Sequence, residues 1–253
     1  GTLIQHIKEH RLHTDLDDKD VIFYFTTCGW MMWNWLVSGL ASGVTLVLYD
    51  GSPFYPDAKA LIDLVEAEQV SIFGTSAKFL AALEKAGAKP GSTHRLQRLK
   101  AILSTGSPLS HESFEYVYRE IKTDVCLSSI SGGTDIVSCF ALGNPVLPVW
   151  RGELQCKGLG MDVQVWNDAG TPVSGEKGEL VITQPYPYLA RTLWGDGDNL
   201  GSNEWRGDLA RFSESYFQRW EGELTYTQGD FARRGDQGAF TLHGRSDDVI
   251  NVS

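Results

Sequence analysis

The 253-residue sequence is poor in sulfur, with four cysteines and three methionines. Cys28, Cys126, Cys139 and Cys156 form no CxxC pair, and none has a histidine at zinc-ligand spacing. That excludes a thiolate zinc site. Unpaired thiols in apolar surroundings point to a reducing compartment, the cytoplasm. No apolar run reaches the roughly 20 residues that a membrane-spanning helix needs. The longest, from Cys28 to Ala41, is broken by Asn34 and Ser38. Basic residues are outnumbered 22 to 32, for a net charge of −10. This disfavours nucleic acid and an anionic membrane surface as partners, while leaving room for a local cationic pocket. GxSxG, Walker A and a post-strand GxGxxG are all missing, which removes the inexpensive hydrolase and dinucleotide readings. The chain has no internal repeats. It opens on Gly1 and closes on Ile250-Asn251-Val252-Ser253, and we expect it to be a segment of a longer chain.

What is present is globular: 42% of residues are apolar and 21% charged. Short β-rich apolar runs at 21–25, 44–49, 70–73, 99–104 and 125–128 alternate with helical patterns at 30–40, 57–68, 76–86 and 113–121. Such alternation predicts an α/β fold, a parallel-rich sheet covered by helices. Near Pro145 hairpin patterns take over, with turns at 167–170 and 235–238. The expected division is an α/β part over 1–144 and a small β-rich, barrel-like part over 145–246. Trp194 to Trp220 is polar and glycine-rich, and reads as an irregular surface excursion. His6, His10 and His13 recur at helical spacing with no carboxylate on their face, and read as a solvated helix. Trp30, Trp33 and Trp35 read as core by default, or as a pocket wall.

Ligands of open parallel sheets sit at the carboxyl ends of the strands, so the loops there are the places to look for chemistry. After the last parallel strand comes Ser131-Gly132-Gly133-Thr134-Asp135. Its paired glycines let backbone N–H groups approach a phosphate, Thr134 adds a hydroxyl, and Asp135 adds a magnesium-type oxygen. Tyr226-Thr227-Gln228-Gly229-Asp230 and Gly244-Arg245-Ser246-Asp247-Asp248-Val249-Ile250 follow. An aspartate there suits a ribose diol, and an arginine suits ribose or phosphate. Each segment alone would be an ordinary turn.

In this order, together with Gly178-Glu179-Leu180-Val181-Ile182, the segments resemble the adenylate-forming superfamily of acyl-CoA synthetases, luciferases and adenylation domains. The resemblance runs from about Val21 to the last residue. It implies an acid–thiol ligase that uses ATP, Mg²⁺ and CoA: a carboxylate is joined to AMP, and the CoA thiol then displaces the AMP. It also implies roles. Gly106, Ser107 and Pro108 would line the adenine. Gly132, Gly133 and Thr134 would meet phosphate. Asp135 would hold Mg²⁺, and Asp230 the ribose hydroxyls. Arg245 would contact ribose or phosphate, Asp247 would be a hinge, and Ser253 would touch CoA. Thr134, Asp135 and Arg245 would be the catalytic groups. Acetate-specific relatives carry tryptophan where this chain has Gly132, so a larger acid such as acetoacetate is expected, with Trp30 and Trp33 as pocket wall. On that reasoning Gly132→Trp shifts preference toward acetate. Small molecules are then the partners. The superfamily's lysine-containing phosphate loop and its C-terminal lid are not in these residues, so negligible catalysis is expected from the chain alone. Two other readings are a synthetase for another short acid, and a non-catalytic nucleotide- or carbohydrate-binding module.

Overall fold

The computed structural model describes residues 1–186, 188–190, 192, 193, 196–198, 206, 207 and 209–247. Its first layer is a five-stranded sheet in the order β2-β1-β3-β4-β5, all parallel. The strands are β1 (Val21–Tyr24), β2 (Thr45–Val47), β3 (Ile72–Ser76), β4 (Ala101–Thr105) and β5 (Cys126–Ser129). Successive side chains point to opposite faces, so both faces are apolar. Phe23, Phe73, Ile102 and Leu127 belong to one core, and Ile22, Ile72 and Leu103 to another. Helices α3 (Ala60–Ala67), α4 (Ala77–Lys85), the single turn α5 (Pro90–Thr93) and α6 (His111–Tyr116) lie between the strands along the chain. Leu61, Leu80 and Phe114 from these helices pack on the first core. Ser76 and Ser110 cap α4 and α6 by accepting from the Phe79 and Ser113 N–H groups.

Helices α1 (Thr2–Lys8), continued by a π-helical turn through His13, and α2 (Met31–Ser38) are the other two helices of this layer. α2 supplies Met32, Trp35 and Leu36 to the second core. Here the expected solvated helix is corrected. His6, His10 and His13 are buried, together with Gln5 and Glu9. His6 Nε2–H donates to the Val137 carbonyl at 3.2 Å, and His10 Nε2–H to that of Trp35 at 2.9 Å. His13 Nδ1–H donates to the Gly143 carbonyl at 2.8 Å. Polar spacing on a helix marks solvent only when the facing surface has no carbonyls to offer, and this surface has several. Burial holds all three imidazoles below their ordinary value, His10 at about 4.

Antiparallel pairing begins at Ser131. β6 (Ser131–Gly133), β7 (Ser138–Leu142) and β8 (Cys156–Lys157) form one sheet. β9 (Val163–Trp166), β10 (Lys177–Ile182), β13 (Tyr226–Arg234) and β14 (Phe240–Arg245) form another, in the order β14-β13-β10-β9. A bridge between Leu154 and Phe240 links the two, and they share one core that includes Phe140, Val163, Leu180 and Phe240. The two-residue strands β11 (Gly197–Asp198) and β12 (Arg206–Gly207) pair with each other. The stretch expected to be irregular contains helix α7 (Ala210–Tyr216). Buried Asp196 holds the start of α7 by accepting from the Arg211 and Phe212 N–H groups at 2.7 and 3.0 Å. Tyr216 of α7 stacks on Tyr226, with ring centroids 4.5 Å apart. The four cysteines are free thiols, Cys28 exposed and Cys139 buried. No helix among the described residues is long and apolar enough to cross a membrane.

Candidate functional site

The carboxyl ends of β3, β4 and β5 open toward β13 and β14, and a cavity of about 510 Å³ lies between them. The sheet contributes Lys78, just inside α4, and Gly106, Ser107 and Pro108 after β4. Gly106 turns with φ at +91°, which suits glycine. Gly132, Gly133 and Thr134 supply a second wall, and Gln228, Asp230 and Arg245 a third. Every residue expected from sequence to meet the nucleotide therefore lines one space. Lys78 and Gln228 are additions. Gln228 lies close over Gly133, where an added Cβ would meet its side-chain amide at 3.1 Å.

Asp230 and Arg245 face each other across the β13–β14 ladder. Arg245 Nη1 lies 3.3 Å from Asp230 Oδ1, and its Nε donates to Asp247 Oδ1 at 2.9 Å. The doubly flanked guanidinium is held above its ordinary value, chiefly by its hydrogen bond to Asp247. Burial pushes the Asp230 carboxyl up, against the pull of Arg245. Beneath this pair lies buried Glu179 of β10, which sequence reading noted only as part of a strand motif. Its Oε1 accepts from the Gly229 N–H at 3.1 Å and the Ser246 hydroxyl at 2.9 Å. Its Oε2 faces Arg219 at 3.5 Å. Gly229 sits at φ +77°, and a Cβ there would strike Asp247 and Arg245 at 2.7 and 2.8 Å. The positive φ favours glycine at this point of β13.

A second cavity, about 370 Å³, adjoins the first through Thr105, Gly106, Gly132, Gly133 and Thr134. Trp30, Met31 and Met32 form its far wall, and Cys139 part of its floor. Trp33, expected beside Trp30, does not line it. Helical rotation turns Trp33 aside, where it packs half-buried against the core beneath α2. Gly132 does line it. A Cβ at Gly132 would sit 2.1 Å from the Ser138 carbonyl and 3.0 Å from Cys139 Cα. The space a side chain would need is occupied by the backbone of β7.

Asp135 lines neither cavity. It lies on the turn from β6 to β7, and the Tyr216 hydroxyl of α7 donates to its Oδ2. Among the described residues no three His, Cys, Asp or Glu side chains converge as a metal cage. One carboxylate suits a magnesium ion that arrives with phosphate oxygens and water, the usual manner for that ion. Asp247 is placed beside Arg245, whereas Ser253 lies outside the described residues. Chemically, the larger cavity is lined by the hydroxyl residues Ser107 and Thr134 and by the Arg245 guanidinium, which suit an anion, and by the Asp230 carboxylate, which suits hydroxyl donors.

A sequence profile described as "AMP-binding enzyme" matches residues 2–194. Acetoacetyl-coenzyme A synthetase of Rhizobium meliloti (strain 1021) is 55% identical over 251 residues, covering 99% of this chain and 37% of that protein. Acetoacetyl-CoA synthetase of Gallus gallus is 48% identical over 252 residues, covering 99% and 36%. The solved structure of acetoacetyl-CoA synthetase from Streptomyces lividans superposes with a TM-score of 0.89 at 40% identity, covering 99% of this chain and 38% of that one. The chain thus spans little more than a third of the length of the relatives it matches.

Proposed function

The chain belongs to the AMP-binding enzyme family, and from that premise we propose that it is the nucleotide- and acyl-binding body of an acetoacetate–CoA ligase. In the first half-reaction a carboxylate oxygen of acetoacetate attacks the α-phosphorus of ATP. The new O–P bond forms as the bond to pyrophosphate breaks. In the second, the CoA thiol attacks the acyl carbon, AMP leaves, and the thiol proton is released. Both steps bring anions together, so the protein's task is to position them and offset charge.

One observation carries this reading: Gly106, Ser107, Pro108, Gly132, Gly133, Thr134, Asp230 and Arg245, drawn from three separate parts of the chain, line one cavity. In our reading the glycine-rich turn and Thr134 bind phosphate oxygens, and Asp230 accepts from the ribose hydroxyls. Arg245, oriented by Asp230 and Asp247, contacts ribose or α-phosphate. Asp135 would hold Mg²⁺, which neutralises phosphate charge when bound. The smaller adjoining cavity, walled by Trp30, takes the acyl group, and Asp247 serves as the hinge of a lid. We assign Ser253 to CoA contact. The partners are small molecules, with no nucleic acid and no membrane, and the compartment is the cytoplasm.

Calorimetry with AMP tests the reading on the protein that carries this chain. Asp230→Ala removes the diol acceptor, and AMP affinity falls by about tenfold or more. Unchanged affinity refutes the assignment, and oligosaccharide binding in its place favours a non-catalytic module. ATP–pyrophosphate exchange with acetoacetate, acetate and butyrate then ranks the acids. Strongest exchange with another acid rejects acetoacetate.

A further inference from the structure

The buried polar row on the N-terminal helix does not touch either cavity, yet one member of it is tied to both walls of the smaller one. Glu9 is wholly buried. Its Oε1 accepts from Gln5 Nε2 at 2.6 Å, the Ser138 hydroxyl at 2.9 Å and the Cys139 backbone N–H at 3.0 Å. Its Oε2 accepts from the Trp35 indole N–H at 2.9 Å. The indole, the amide nitrogen and the backbone N–H can only donate, so this nest is built for a carboxylate. A buried charge is tolerated only when its lone pairs are satisfied in this way.

The partners of Glu9 matter more than its burial. Ser138 and Cys139 are the residues of β7 that pair with Gly133 and Gly132. The contact at Gly132 leaves no slack between the strands, since a Cβ there would lie 2.1 Å from the Ser138 carbonyl. Wherever Glu9 holds β7, Gly132 must follow. On the other side, Trp35 lies one helical turn beyond Met31 and Met32, which line the opposite wall. One carboxylate thereby spans α1, α2 and the β6–β7 hairpin. His6 holds the turn of that hairpin through Val137, whose φ of +51° is rare for a β-branched residue.

We propose that Glu9 is a positioning residue that sets the width of the acyl cavity by tying α2 to the β6–β7 hairpin. The proposal rests on the reading of the smaller cavity as the acyl site. Its test is ATP–pyrophosphate exchange in the protein that carries this chain, comparing KM for acetoacetate with KM for ATP. In Glu9→Gln the amide nitrogen turns toward groups that themselves donate, and the wall loosens. KM for acetoacetate then rises about tenfold while KM for ATP stays within about twofold. Trp35→Phe removes a single donor and keeps the ring, giving about a threefold rise in the acid KM alone. It carries the test if Glu9→Gln fails to fold. A merely structural role would lower Tm and leave both KM values unchanged, or raise both together, and either result overturns the proposal. If the unsubstituted protein shows no acid-dependent exchange, the functional reading fails and takes this inference with it. Normal exchange with unaltered KM values in the variants overturns the inference alone.

Discussion

Replacing Gly132 by alanine adds a single methyl group at the most constrained point of the site. The added Cβ would lie 2.1 Å from the Ser138 carbonyl oxygen, and 3.0 Å from both the Ser138 carbonyl carbon and Cys139 Cα. These are backbone atoms, which have no rotamer to change. Reaching even the shortest distance that real Cβ atoms show requires the strands to part by about 1 Å. β6 and β7 pair over only a few residues, with a bulge between Ser131 and Gly132, so the separation weakens the whole hairpin. Overpacking of this kind costs about 2–3 kcal/mol. That loss is measured by denaturant titration on the protein that carries this chain. KM for acetoacetate rises as well, because the displaced hairpin is a wall of the smaller cavity. Gly132→Trp goes further and abolishes exchange with acetate as well as acetoacetate. A stability of Gly132→Ala within about 0.5 kcal/mol of the parent refutes the reasoning. So does a tryptophan variant that folds normally and switches to acetate, since either result requires the hairpin to open at little cost.

Two further predictions concern His10 and Asp135. The folded state holds His10 near 4, against 6.5 for an ordinary imidazole. Its folded pKa is lowered, so the unfolded chain binds more protons once pH falls below 6.5. The stability that neutral His10 contributes is complete above that pH and is lost as pH drops toward 4. Between pH 7 and 5 the loss is about 2 kcal/mol. Glu9, pushed up by burial, acts with the opposite sign, so the comparison is with His10→Asn. Its acid-induced loss in denaturant titrations should be smaller by about that amount, and equal losses would refute the assignment. At Asp135, Tyr216→Phe removes the hydroxyl that donates to Oδ2. Partners of this kind typically govern metal affinity, so the Mg²⁺ concentration for half-maximal exchange should rise roughly tenfold. An unchanged magnesium dependence would show that Asp135 works without Tyr216.

The parallel sheet was legible because its strands are buried on both faces and read as continuous apolar runs, as in Ile72-Phe73 and Ile102-Leu103. The residues lining the larger cavity were legible through the resemblance of several short contiguous segments taken in order, since each segment alone reads as an ordinary turn. Whether Trp33 faces pocket or core is a matter of helical rotation, set by what α2 packs against. The histidine row was misread because burial of a polar helix face depends on the acceptors opposite it. Val137 and Gly143 lie more than a hundred residues away along the chain.

By itself, the sequence determined the alternation of strands and helices and the two hairpins. These follow from periodicity and from residue types whose backbone or side-chain chemistry acts locally. Tertiary structure decided the rest. It brought Gly106, Gly132, Asp230 and Arg245 to one cavity. It turned Asp135 toward a tyrosine of α7, and buried Glu9 among donors from three elements. It also set Gly132 directly against the backbone of β7. Each of these depends on where a distant segment comes to rest, and local propensity along the chain carries no record of that.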